Sequence, residues 1–332
     1  MTSKITRRRT LLKASALLPL GVAAPLAAQT ASTWPRQTVR LVVPFPPGGN
    51  TDLIARVLAK SIAADLGQPV VVENRAGAGG NIGVDHVVKS APDGYTLAYS
   101  TLSTYALNVG LYKTLPFDPL KDLAPIAMTV EVPLVLVVPG SSGIRTLPEL
   151  LDRLKSQPGK FSYGSAGNGT SSHIACHLFT RMAGVDVQHV PYRGTGPAMN
   201  DLIGGVIAFG MDAPSVVAPM VQAGRLNAIA VAVPARMKSL PQVPTFDEAG
   251  LKGFRAYSWN ALWAPANTPA EVLDRMNAAV NKAMADPANA RQIEDLGVVA
   301  YPRMNRSEVE AFMRKEYETW VPIVRSMKVT VD

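Results

Sequence analysis

Short β-branched runs alternate with helix-period stretches along most of this 332-residue chain, and the rhythm starts twice. Few architectures accommodate such alternation other than an α/β fold whose mainly parallel sheets are covered by helices on both faces. In the first cycle Val39-Arg40-Leu41-Val42-Val43 reads as a strand. Apolar residues at 53, 54, 57, 58 and 62 then predict a helix over 51–66. Strands over 69–73 and 95–100 flank a helix over 81–90, and apolar runs over 126–130 and 134–138 follow, separated by Glu131-Val132-Pro133. After Pro139 the second cycle has helices over 147–155 and 170–182 and strands over 161–164, 187–190, 206–211 and 227–231. A strand-like run over 256–263 precedes two tail helices, one opened by Pro269 over 270–285 and one capped by Ser307 and reaching about 326. The expected topology starts in domain 1 (31–131), crosses near 130–133 into domain 2 (132–256), and returns near 257–259 to complete domain 1 (257–332).

The first thirty residues stand outside this rhythm. Lys4, Arg7, Arg8, Arg9 and Lys13 precede an apolar run over 14–28 that ends in small residues, the pattern of an export signal peptide. Arg8-Arg9-Thr10-Leu11-Leu12-Lys13 fits the twin-arginine type, with an ordinary Sec signal as the alternative. Either route leads to the periplasm. The five basic residues account for much of the formal charge of +8, so about +3 remains after their removal. No Lys/Arg stripe with interleaved aromatics is left, which argues against a nucleic-acid partner. No later apolar stretch approaches the length of a membrane span, so no membrane insertion is expected. Cys176 is the only cysteine, so no disulfide can form within one chain and packing must supply the stability.

Two strand–loop–helix junctions carry the chemistry. One is Pro44-Phe45-Pro46-Pro47-Gly48-Gly49-Asn50-Thr51-Asp52, and the other is Gly164-Ser165-Ala166-Gly167-Asn168-Gly169-Thr170-Ser171-Ser172-His173. Small residues there let the backbone N–H groups of a helix start approach a ligand closely. A helix N-terminus carries about half a positive charge, so two of them facing each other can hold a carboxylate without Lys or Arg. The structural alternative is plain capping, by Asn50 or Thr51 with Asp52 in the first turn. Phe45, Tyr105 and Trp259 serve either a flat ligand body or the core.

These residues also carry a resemblance. Arg40 to Gly49 with Asp52, Val72-Glu73-Asn74-Arg75 with Gly77 to Gly83, and Ala91-Pro92-Asp93-Gly94-Tyr95-Thr96-Leu97 resemble the Bug-type substrate-binding proteins of tripartite tricarboxylate transporters. So do the Gly164–His173 loop, Val190-Pro191-Tyr192-Arg193-Gly194, and Pro241-Gln242-Val243-Pro244-Thr245 with Glu248-Ala249-Gly250. The resemblance implies a two-domain periplasmic-binding-protein fold, a type II-like Venus flytrap with two crossover hinge segments. It implies a small organic anion held in the cleft, membrane permease subunits as partners, and no cofactor. By position, ligand binding falls on Phe45, Pro46, Pro47, Gly48 and Gly49, and on Ser165, Ala166, Gly167, Asn168, Gly169, Thr170 and Ser171. The loop residues Ser103 and Thr104, with Tyr192, Arg193, Gly194 and Asp212, are expected to border the cleft, and Asp52 to meet a ligand amino or hydroxyl group.

The same stretches admit other readings. Gly77-Ala78-Gly79-Gly80-Asn81-Ile82-Gly83 has the glycines of a dinucleotide turn but follows the second strand, so close helix–sheet packing is expected of it. His173 and His177 sit at a zinc-compatible spacing without further ligands nearby in sequence, and no metal is expected. A serine hydrolase would need Ser165 with His173 as base, and no orienting acid is evident. A sensor that presents ligand to a kinase ectodomain is the alternative within binding function.

Overall fold

The computed structural model describes residues 1–2, 34–327 and 331; the expected signal peptide, apart from Met1 and Thr2, lies outside the described residues. Two mixed sheets organise the chain. In the first, β1 (Val39–Val43) runs parallel to β2 (Val70–Asn74) and β3 (Thr96–Thr101). Beyond β3 the pairing turns antiparallel, through β10 (Tyr257–Pro265), β4 (Leu123–Pro133) and β11 (Val299–Ala300). In the second, β6 (Ser162–Ser165) is parallel to β7 (Gln188–Pro191) and β8 (Phe209–Asp212), while β5 (Val135–Pro139) pairs antiparallel with β8 and β9 (Leu226–Val231). The expected mainly parallel arrangement therefore holds for half of each sheet. The antiparallel halves arise because β4 leads through Leu134 straight into β5, and β10 returns beside β4 with Tyr257 opposite Pro133. From Pro35 onward the chain is one compact unit.

Helices follow the parallel strands: α1 (Asn50–Leu66) after β1, α2 (Asn81–Val88) after β2, and α3 (Asn108–Leu111) after β3. The second sheet carries α4 (Leu147–Ser156), α5 (Ser171–Ala183), α6 (Thr195–Ile203) and α7 (Pro214–Gln222). The tail supplies α8 (Ala270–Ala285), α9 (Pro287–Asp295) and α10 (Arg306–Ser326). The α10 cap is Asn305, not Ser307: its side chain accepts from Glu308 N, and Glu308 reaches back to the Asn305 backbone. Tyr105 and Trp259 belong to the core of the first sheet with Trp263 and Met313. Cys176 is buried in the core of the second beside Phe179 and Phe209, and burial pushes its thiol pKa up, which keeps it unreactive. No described helix is long and apolar enough to cross a membrane.

Candidate functional site

Because α1 follows β1, α5 follows β6, α6 follows β7 and α7 follows β8, four helix starts sit at the carboxyl ends of parallel strands, where open α/β sheets bind ligands. All four contribute to one cavity of about 360 Å³. It is lined by Phe45 to Thr51 at the start of α1, Ala166 and Thr170 to Ser172 at α5, Gly194 to Gly196 at α6, and Asp212 and Ala213 at α7. Among the described residues lining it, none is Lys, Arg or His, and Asp212 is the one acid. An anion placed here would meet helix dipoles and backbone N–H groups instead of a salt bridge.

The first loop is held from below. Five prolines and glycines from Pro44 to Gly49 end β1, and Gly48 takes a left-handed φ of 81°. The helix cap is Gly49, without a side-chain cap bond, so capping by Asn50 or Thr51 does not explain the segment. Asn50 Oδ1 accepts instead from Ser215 Oγ at 2.8 Å. Asp52 lies under the loop, 2 % exposed, and does not line the cavity. It accepts from Gly48 N (2.9 Å), Asn74 Nδ2 (2.9 Å) and Arg56 Nε (3.0 Å), and Asn74 also donates to Phe45 O at 3.0 Å. Burial alone would raise the Asp52 carboxyl, but the bonds from Arg56, Gly48 and Asn74 hold it below the usual carboxylate range. Its partners are thus all protein groups, and a ligand amino group finds no vacant acceptor there. Gly80 abuts the Phe45 ring and Gly83 abuts Pro44, so the Gly77–Gly83 turn buttresses this loop by close packing.

The second loop is held by its own hydroxyls and two imidazoles. Ser172 Oγ accepts from Ala166 N (3.0 Å), Thr170 Oγ1 donates to Gly167 O (2.7 Å), and His173 Nδ1 accepts from Gly169 N (3.3 Å). Ser165 meets His189, not His173, with Oγ and Nε2 2.7 Å apart. His173 stacks on His189 with ring centroids 4.0 Å apart, and His189 stacks on Tyr163. Burial, then the neighbouring imidazoles, pull the two histidines down to about 3 (His173) and about 4 (His189), so both are neutral at physiological pH. Among the described residues no three His, Cys, Asp or Glu side chains converge as metal ligands.

Of the residues expected at the site, Phe45 to Gly49, Ser103, Ala166, Thr170, Ser171, Gly194 and Asp212 line this cavity. Ser103 and Thr104 are not in a loop but in a buried helical turn, Ser103–Leu107. Thr104 Oγ1 bonds Ser100 Oγ at 2.8 Å and lies behind the wall, whereas Ser103 Oγ approaches Ser171 Oγ at 3.1 Å. Gly167, Asn168, Tyr192 and Arg193 face a neighbouring cavity of about 600 Å³ behind the Phe45–Pro46 segment. Ser165 and Gly169 line neither: Ser165 is committed to His189, and Gly169 packs against Asn108. Residues absent from the expected set include Thr195, Gly196, Ala213, Ser258 and Asn260. Their signal was a pair of further strand-to-helix junctions, and polar residues alternating with Trp259, Ala261 and Trp263 inside a buried strand.

Residues 54–329 match the TctC family, described as the tripartite tricarboxylate transporter family receptor. Protein BugT of Bordetella pertussis is 38% identical over 309 residues, covering 92% of this chain and 93% of the relative. A Rhodopseudomonas palustris protein solved with adipate is 30% identical with a TM-score of 0.86, covering 90% of this chain and 100% of that one. MatC of the same organism, solved with bound malate, is 34% identical with a TM-score of 0.83 and covers 88% of this chain and 100% of its own. The family match, the identity to relatives over nearly the whole chain and the structural likeness thus show that this chain belongs to the tripartite tricarboxylate transporter receptor family, the Bug-type periplasmic solute-binding proteins, which are receptors rather than enzymes.

Proposed function

We propose that the protein captures a small organic carboxylate in the 360 Å³ cavity and presents it to the membrane permease subunits of a tripartite tricarboxylate transporter. One observation carries this reading: four helix N-termini converge on a cavity without a cationic side chain. Such a site favours a compact anion through preorganised backbone donors. The adipate and malate in two relatives are ligands of that kind and size. The segment over 1–30 exports the chain, by the twin-arginine route in the reading of Arg8-Arg9. Two lobes, 31–131 with 257–332 and 132–256, close about the paired crossings at Pro133 and Tyr257, because the ligand gains contacts from both only in the closed form.

The test is a thermal-shift screen of protein stripped of resident ligand by unfolding and refolding. Di- and tricarboxylates, amino acids and aromatic acids are compared with neutral sugars and amides. At a concentration 100-fold above Kd a ligand stabilises by about 2.7 kcal/mol, a shift of several degrees. The reading fails if no carboxylate shifts the transition while a neutral solute does.

A further inference from the structure

The wall of the cavity nearest the crossings is chemically unlike its mouth. It is formed by Val132, Leu134, Ser258, Asn260 and the paired Thr101, and none of the four strand-end helices begins there. Asn260 is 1 % exposed and neither its Nδ2 nor its Oδ1 has a partner in full hydrogen-bond geometry, the buried Tyr99 hydroxyl being a weaker neighbour; Ser258 is 6 % exposed and its hydroxyl has no partner. Burying an amide and a hydroxyl unpaired costs about 1–3 kcal/mol for each polar group, a penalty a protein normally avoids. Both residues line the cavity, so a ligand is the partner within reach.

Sheet order supplies the spacing. In the order β4-β10-β3-β1, the strand bearing Ser258 and Asn260 lies two positions from β1, which leads into α1. At about 4.8 Å per strand this puts the two side chains roughly 10 Å from the first loop. A molecule whose carboxylate rests at the start of α1 therefore spans three to five further bonds before reaching them.

We propose, on the carboxylate reading above, that Asn260 and Ser258 are specificity-determining residues that read the ligand's remote end, and that this end bears an uncharged donor–acceptor group, a hydroxyl or a carboxamide, not a second carboxylate. A carboxamide satisfies both atoms of the Asn260 amide, one as donor and one as acceptor. A carboxylate accepts only, and would leave Asn260 Oδ1 facing a negative charge. No cation lines this wall to offset that charge, and the nearest ionisable group of the cavity is another acid, Asp212, one strand from β5 and 8 % exposed. Burial drives the Asp212 carboxyl up to about 6, so the site already resists one negative charge before a second arrives.

The experiment is calorimetric titration of ligand-stripped protein with matched sets of four, five and six carbons. Each set contains the alkanoate, its ω-hydroxy derivative, the dicarboxylate and the dicarboxylate's monoamide. The hydroxy acid or the monoamide should bind at least about tenfold tighter than both the alkanoate and the dicarboxylate of its set, the discrimination of one satisfied buried hydrogen bond. In Asn260→Leu the ratio of hydroxy acid or monoamide to alkanoate should fall to within about threefold of unity. Ser258→Ala, a smaller change, should lower the same ratio and serves if Asn260→Leu fails to fold. A dicarboxylate that outbinds its monoamide in every set, or a ratio untouched in the folded variants, overturns the proposal while leaving carboxylate capture standing. Failure of all the acids to bind overturns both.

Discussion

Ser215 Oγ donates to Asn50 Oδ1 at 2.8 Å, tying the first turn of α7 to the first turn of α1 across the cavity. The two helices belong to different sheets, so this bond exists only while the sheet edges face each other. Asn50→Ala removes an acceptor worth about 1 kcal/mol and should weaken carboxylate binding about fivefold with little change in unfolding temperature. Calorimetry of the variant checks it, and small-angle scattering should show a more expanded ligand-free form.

Gly194, at the start of α6, packs directly against Pro46 of the first loop. Its φ is 110°, and a Cβ there would sit 2.7 Å from Pro46 Cγ. Gly194→Ala must strain the backbone or push the first loop away, at a cost of about 1–3 kcal/mol. Affinity should drop by one to two decades. An unchanged Kd would show that the loops do not close around the ligand at this point.

Asp52 holds the first loop without touching the cavity. Asp52→Ala leaves Gly48 N without its acceptor and Asn74 Nδ2 with only Phe45 O, and should cost about 2 kcal/mol of stability. Urea unfolding measures this directly. The ligand affinity of the folded fraction should fall as well, since Gly48 loses the bond that sets its turn.

Acid should release the second loop. Because the His173 pKa is depressed from 6.5 to about 3, the unfolded chain binds the proton first as pH falls. The stability present above pH 6.5 is therefore lost on the way down to about 3, by roughly 2 kcal/mol at pH 5 from this residue. Protonation of Nδ1 also removes the acceptor for Gly169 N. Urea midpoints followed between pH 7 and about 5 should fall, and His173→Gln should flatten the slope.

The sign at Asp212 is opposite. Burial raises its pKa from 3.8 to about 6, so its neutral form is stabilising below 3.8 and that contribution is lost as pH rises through about 6. Asp212→Asn keeps the acceptor for Ala213 N (2.8 Å) and should stabilise the protein by on the order of 2 kcal/mol at about pH 8 and negligibly at pH 4. Anion affinity of the unmodified protein should also decline above about pH 6, whereas the variant's should stay level. A parallel pH response in both proteins would count against Asp212 facing the ligand.

Element order was readable in the chain because period-2 and period-3.6 apolar patterns are local. The helix over 270–285 and the strand over 39–43 appear with the bounds their patterns predict. The two Gly/Pro loops were readable for the same reason, since positive φ and helix starts are written in a few adjacent residues. Assignments between distant residues were not. Ser165 pairs with His189 because β7 lies beside β6, although His173 is nearer in sequence. Asp52 turns inward because Asn74 arrives on the neighbouring strand, and the buried helical turn that holds Thr104 after β3 carries no periodic signature in sequence. Ser258 and Asn260 reached the cavity only because β10 inserts antiparallel between β3 and β4, a pairing across more than 120 residues of chain. Local chemistry thus determined which segments become strands, helices and anion-seeking loops. Sheet order, set by long-range burial and hydrogen bonding, decided which side chains line the cavity and which only hold its wall.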